Sequence, residues 1–351
     1  MRNKKYSEAI NEALYMAMEK DKSVICYGLG VPDPKGVFGT TLNLQEKFGD
    51  KRVFDMPTSE NAMTGVAIGA SLNGIRPVIT HQRLDFFLLA MDQLVNNAAK
   101  WHYMFGGQSS IPITIRLIIG RGWGQGPTHS QNLQAIFAHI PGLKVVMPAT
   151  AADAKGLLLS SIFDNNPVIF MEHRWLHNLE GDVPEDDYQI PIGKASHLNE
   201  GNDITIVSMS YMTVEALHAV EALEKEGITC DLIDLRTVKP IDFDLIFSSV
   251  KKTGLLIALD TGVETNSIAS EIVARVSMEC FDSLKQAPER LALPDFPTPT
   301  SRALTKGFYK RAEDIIDIVS GMLGRNLVGN EVIDRGEIPY DVPGDWFKGP
   351  F

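Results

Sequence analysis

The chain has 351 residues, 44% hydrophobic and 22% charged, ordinary values for a globular protein and enough length for two domains with sizeable cores. Its formal charge of −11 argues against a nucleic-acid backbone or an anionic membrane as partner. Cys26, Cys230 and Cys280 are odd in number and far apart, which suits free thiols in a reducing compartment better than a disulfide framework or a metal site. No apolar signal core follows Met1 and no later stretch reaches spanning length, so the expected location is the cytoplasm.

Residues 6–19 place Ala9, Ile10, Ala13, Leu14, Met16 and Ala17 on one helical face, and the apolar run 24–27 has strand length. Similar runs recur at 77–80, 111–119, 144–147 and 168–171, with helical patterns at 86–100 and 151–163 between them. Strands that are apolar on both faces and alternate with helices predict a parallel sheet covered on both sides. The region around 175–202 dissolves into charge, Pro and Gly and reads as a linker. A second alternation follows: strand 204–208, helix 214–225, strand 230–235, helix 243–251, strand 254–259, helix 267–280 and a last helix near 312–323. The predicted fold class is α/β, with two parallel-sheet domains at 1–180 and 203–325, a linker at 181–202 and a tail at 326–351. The tail is weakly patterned and is expected either to drape on a partner subunit or to be disordered.

Three stretches carry candidate chemistry. Pro57 disfavours helix before it, Ser59 is a capping residue type, and Met63, Val66, Ala67 and Ala70 recur at helical spacing, so Glu60 falls at a helix start. A first-turn glutamate that complements the helix dipole is the plain alternative. Glycine at every second position from Gly120 to Gly126, closed by Pro127, predicts a loop able to approach a ligand, and His129 stands at its end. The third stretch, 161–167, ends a helix before Pro167 and leaves carbonyls without intrahelical partners. Of the other histidines, His139 reads as satisfying a buried hydrogen bond, and His81, His102, His173, His177, His197 and His218 form no convincing metal-ligand set.

Ten ordered blocks resemble one family. They include Gly36-Val37-Phe38-Gly39, the run around Glu60, Ala90-Met91-Asp92-Gln93-Leu94, Gly106-Gly107-Gln108, His129-Ser130-Gln131, the segment from His139 to Val146, Asp234-Leu235-Arg236-Thr237 and Pro294-Asp295-Phe296-Pro297-Thr298-Pro299. From about residue 6 to about 318 the chain resembles the beta subunit of the thiamine-diphosphate-dependent dehydrogenase component of 2-oxo acid dehydrogenase complexes. The resemblance implies a transketolase-like pyrimidine-binding domain followed by a transketolase C-terminal-type domain. It makes Glu60 the carboxyl group that drives tautomerisation of the cofactor's aminopyrimidine, Phe86 the aromatic against that ring, and His129 a group that holds intermediates or the acceptor. For Phe86 a core aromatic at helical spacing with Leu89 stays open. The family's potassium site of main-chain carbonyls would fall on Ile113, Ser161, Asp164 and Asn166.

Departures and absences qualify the match. Leu29, in Gly28-Leu29-Gly30-Val31, stands where the family has a carboxylate near the cofactor, and Gln82-Arg83-Leu84-Asp85-Phe86 replaces a more apolar run, with a positive charge beside the matched aromatic. Leu29 and Gln82 are therefore the further cofactor-contacting positions. No Gly-Asp-Gly occurs, and in this enzyme class that motif holds the diphosphate through Mg2+. An alpha-type partner would supply that half, giving an α2β2 tetramer with two interfacial sites. The expected activity is decarboxylation of a 2-oxo acid with acyl transfer to a lipoyl acyltransferase. The alternatives are a two-subunit transketolase-like carboligase, which the run Gly126-Pro127-Thr128-His129 resembles, and a non-catalytic interaction subunit.

Overall fold

The computed structural model describes residues 1–122, 124–336 and 338–347. The first half runs β1 (Arg2–Lys5), α1 (Tyr6–Lys20), β2 (Val24–Gly28), α2 (Leu44–Phe48), β3 (Val53–Asp55), α3 (Glu60–Ser71), β4 (Arg76–His81), α4 (Leu84–Phe87), α5 (Ala99–Met104), β5 (Thr114–Ile119), α6 (Gln134–His139), β6 (Lys144–Val146), α7 (Ala151–Ile162) and β7 (Val168–His173). The second half continues with β8 (Glu180–Val183), β9 (Ser196–Asn199), β10 (Ile204–Ser208), α8 (Tyr211–Lys225), β11 (Cys230–Asp234), β12 (Thr237–Lys239), α9 (Phe243–Thr253), β13 (Leu256–Val263), α10 (Ile268–Glu279), β14 (Glu289–Leu293), α11 (Ala312–Met322) and α12 (Gly329–Val332).

Every residue of β5 and β7 is buried, as helices on both faces of a parallel sheet require. The first sheet has seven strands in the order β12-β6-β7-β5-β4-β2-β3. From β2 the chain moves out to the edge strand β3, then returns to β4 on the other side of β2 and continues to β5. The direction of winding thus reverses between β2 and β4, and the crevice beyond the carboxyl ends of such a pair is where α/β sheets bind ligands. The second sheet has five strands in the order β14-β13-β10-β11-β9.

The structure departs from the sequence expectations in four places. Both sheets carry an antiparallel edge: β9 runs against β11, and β12 leaves the second half to pair with β6, so the two halves are stitched together. The stretch 181–202 is no bare linker, since β8 pairs with β1 and β9 closes the second sheet; both are polar edge strands, which composition alone does not reveal. The single helix expected over 86–100 is broken into α4, a 3-10 turn at Leu88–Ala90, a π-helical run at Gln93–Ala98 and α5. Finally, the tail folds back on its own chain. Arg335 pairs with Glu313 at 2.8 Å, Asp341 with Arg121 at 3.2 Å, and Trp346 Nε1 donates to the Trp175 carbonyl at 3.1 Å. Its last residues, 348–351, lie outside the described residues, as does Trp123 of the Gly-rich loop.

The three cysteines are free and buried. Among the described residues no helix is long and apolar enough to cross a membrane.

Candidate active site

The sequence-derived residues gather at the carboxyl edge of the first sheet. Leu29 follows β2 and Gln82 follows β4, the two strands that flank the reversal. Gly28 is paired in register with Thr80, and a side chain there would come within 2.1 Å of the Thr80 carbonyl oxygen, so glycine alone lets the two strand ends approach. Beyond it, Gly30 has φ +75°, and a Cβ at that position would meet the Gln82 amide nitrogen at 2.6 Å. The Asp55 carboxylate fixes this turn by accepting from Gly30 N–H at 2.8 Å and Val31 N–H at 2.9 Å.

Glu60 opens α3 as its first residue, with Ser59 in the capping position but making no side-chain cap bond. The helix is docked by Tyr27, whose hydroxyl donates to the Met63 carbonyl at 2.8 Å, and by Met63 and Ala67 in the core. Glu60 is only 7% exposed, yet among the described residues nothing donates a hydrogen bond to its carboxylate. The side chain is largely covered while its carboxylate oxygens keep contact with solvent, so the group is held at the helix start with its acceptor atoms open.

Phe86 lies on α4, half-buried, and meets His129 edge-on with ring centroids 5.2 Å apart and planes at 90°. The Thr128 hydroxyl lies 3.1 Å from His129 Nδ1. Two side-chain bonds cross between the segments that carry these rings: Arg83 Nη2 donates to Gln125 Oε1 at 2.5 Å, and Gln131 Nε2 to Asp85 Oδ1 at 2.7 Å. A buried polar layer supports the edge. Arg116 binds Glu172 through Nε at 2.6 Å and Nη2 at 2.9 Å; burial alone would raise the Glu172 carboxyl, but Arg116 carries it below its usual value. His81 and His177 are pushed down to about 4, and His173 to about 3, in each case mainly by burial, so all three are neutral structural rings.

The four carbonyls matched to a potassium site are largely engaged. Ile113 O accepts from Val168 N–H at 3.0 Å, Ser161 O from Asp164 N–H at 3.3 Å, and Asp164 O from Arg76 Nη1 at 2.9 Å. The Arg76 guanidinium is itself a cation, and Asn166 turns its N–H onto the Asp164 side chain at 2.8 Å. Each of the three carbonyls that accepts such a bond keeps a second acceptor lone pair.

Residues 2–178 match the family model described as transketolase, pyrimidine binding domain, and 193–315 match transketolase, C-terminal domain. The chain is 43% identical to acetoin:2,6-dichlorophenolindophenol oxidoreductase subunit beta of Cupriavidus necator, over 88% of this chain and 94% of that one. It is 42% identical to 2-oxoisovalerate dehydrogenase subunit beta of Bacillus subtilis, with 88% and 95% covered, and 40% identical to pyruvate dehydrogenase E1 component subunit beta of Porphyra purpurea, with 90% and 96% covered. The chain belongs to the transketolase-type beta subunits of 2-oxo acid dehydrogenases. A solved split-gene transketolase, an inactive β4 tetramer, shares the fold with a TM-score of 0.75 at 23% identity, over 91% of this chain and 98% of that one.

In this beta subunit the residues whose bonds sequence reasoning passed over are Gln125, Asp85 and Arg121, which tie the loop to its neighbours. Arg83 stood out as a charge, but its partner lies 42 residues away and no local pattern links them. Arg121 is fully buried, with Nη1 on the carbonyls of Gln125 (2.9 Å) and Pro299 (2.5 Å) and Nη2 on Thr300 O (3.1 Å).

Proposed function

We propose that this beta subunit, together with an alpha-type partner, decarboxylates a 2-oxo acid on thiamine diphosphate and passes the acyl fragment to a lipoyl arm. When bound, the cofactor supplies a nucleophilic thiazolium carbon and an electron sink. The observation that carries the reading is Glu60: the residue is 7% exposed, its carboxylate takes no protein donor among the described residues and its oxygens still reach solvent, which leaves it to bond the aminopyrimidine ring nitrogen and move a proton there. Phe86 offers a half-buried aromatic face on α4, shortly after the end of β4, and Gly28 and Gly30 let the chain after β2 come close to Thr80 and Gln82. His129, edge-on to Phe86, is placed to orient or protonate the reacting substrate.

The diphosphate half is assigned to the partner because the sequence has no Gly-Asp-Gly for the magnesium ion. Exposed apolar side chains support such a partner: Val66 on α3, Leu89 after α4, Tyr103 and Met104 on α5, and Ile136 on α6 are 45% to 90% exposed. A shared site of this kind fits an α2β2 assembly.

The test is reconstitution with an alpha-type subunit, offering pyruvate, 2-oxobutyrate or 2-oxoisovalerate with dichlorophenolindophenol or lipoamide as acceptor. Turnover that needs both chains and thiamine diphosphate is expected. Tight magnesium-dependent binding of the cofactor to the isolated chain would overturn the shared site, and transfer to aldehydes without any dehydrogenase activity would favour a carboligase.

A further inference from the structure

The loop at 120–131 has little backbone structure of its own. Among the described residues its internal main-chain bonds are Gly120 N–H to Gln131 O at 3.5 Å and His129 N–H to Gly126 O at 3.2 Å. Gly124, at φ +66°, has nothing near it. The position of His129 thus depends on side-chain ties, and these converge on Gln125. Its Oε1 accepts from Arg83 at 2.5 Å and from Gly122 N–H at 3.1 Å, and its carbonyl accepts from Arg121 at 2.9 Å. A Cβ on Gly122 would sit 2.3 Å from Gln125 Oε1 and 3.0 Å from Arg83 Nη2, so the glycine is what admits this junction.

Arg83 is an unexpected residue to find there. It is 4% exposed and no carboxylate forms an ion pair with it among the described residues; its guanidinium lies over the Phe38 ring at 5.5 Å, and its Nη1 has no hydrogen-bond partner. Burying a guanidinium with so little compensation is unfavourable, and an apolar side chain of equal length would fill the space at less cost. What the apolar side chain would lack is the charge-assisted bond to Gln125. Along the chain the two cross-segment bonds bracket the Phe86–His129 contact, with Arg83–Gln125 before both rings and Asp85–Gln131 spanning them.

We infer that Arg83 is a positioning residue: through Gln125, and with Asp85–Gln131 as the second tie, it latches the His129 loop onto the segment that carries Phe86. The inference rests on the substrate-side role proposed for His129. In the reconstituted enzyme, assayed with pyruvate and dichlorophenolindophenol, Arg83→Met is expected to lower kcat about tenfold, equivalent to about 1.4 kcal/mol. Exchange of the thiazolium proton should stay near normal, because that step uses Glu60. In the His129→Ala background, Arg83→Met should cause no further loss, since a residue acting through another has nothing left to act on. An equal tenfold loss in both backgrounds would overturn the latch.

A readout independent of turnover separates the two ideas. In the free chain the His129 Cε1–H resonance, shifted by the Phe86 ring, should move toward that of free imidazole in Arg83→Met; an unmoved resonance would overturn the latch whatever the activity shows. If instead His129→Ala leaves turnover unchanged while that resonance moves, the latch stands and the role given to His129 falls. Gln125→Leu removes the same bond from the loop side and should reproduce both effects, even if Arg83→Met does not fold.

Discussion

Two buried glutamates show how differently this fold treats a carboxylate. Glu215, on α8, is fully buried and fully employed: Oε1 accepts from Arg311 at 3.0 Å and from the Tyr211 hydroxyl, and Oε2 from Ala312 N–H at 3.0 Å and from Arg335. Burial alone would raise its carboxyl, but Arg311 and Arg335 carry it below the usual range. Glu60, at the head of α3, is 7% exposed, has none of these partners among the described residues and keeps its carboxylate oxygens in contact with solvent. Where donors come from the fold, the charge is spent on holding α8, α11 and the tail together. Where the fold withholds them, the group stays open for the role proposed for it.

The largest expected effect falls on Glu215. Glu215→Gln leaves Arg311 and Arg335 without a countercharge, and the loss of stability should be about 3–5 kcal/mol, read from urea unfolding, with turnover per folded subunit nearly unchanged. A loss of turnover at undiminished stability would erase the contrast. Glu60→Gln should do the reverse: stability within about 0.5 kcal/mol of the parent, and turnover of the reconstituted enzyme down by ~10²-fold or more.

The neutral histidines set a pH limit on the same scaffold. His81, His173 and His177 titrate at about 4, about 3 and about 4 when folded, against 6.5 when unfolded. Between these values the unfolded chain binds more protons, so their contribution is fully present above about 6.5 and is lost as pH falls toward 4. Calorimetry in buffers of different ionisation enthalpy should find an uptake of about three protons from this set on unfolding near pH 5; no uptake would mean that these rings are charged in the fold.

A last effect concerns Asp234, pushed up to about 7 by burial and then by Asp153. Here the folded state binds the extra proton, so stability falls as pH rises from about 4 to about 7 and is level above. Asp234→Asn, which removes the titration, should raise Tm at pH 8 by about 5 °C relative to its effect at pH 4, the equivalent of about 4 kcal/mol.

Much of the first half was legible because its strands are buried on both faces and α3 has a clear start. Glu60 opens α3 as its neighbours in sequence require, and Phe86 and His129 meet edge-on. What escaped was information held in pairing partners. The run Thr237-Val238-Lys239 is too short to announce itself, and its strand exists because β6 offers an open edge. β14 is confined between Pro288 and Pro294 and takes its place from β13. The π-helical run at Gln93–Ala98 keeps an apolar pattern that a regular helix would also satisfy, so periodicity could not expose the break. The tail is anchored by single residues, Asp341 and Trp346, each reaching a partner more than 170 positions away.

The central claim is that Glu60 is kept unpartnered so that it can activate the cofactor, and exchange of the thiazolium proton in the reconstituted complex tests it most directly. The account predicts that Glu60→Gln slows exchange in parallel with turnover, while His129→Ala keeps exchange near normal. Normal exchange in Glu60→Gln would contradict it.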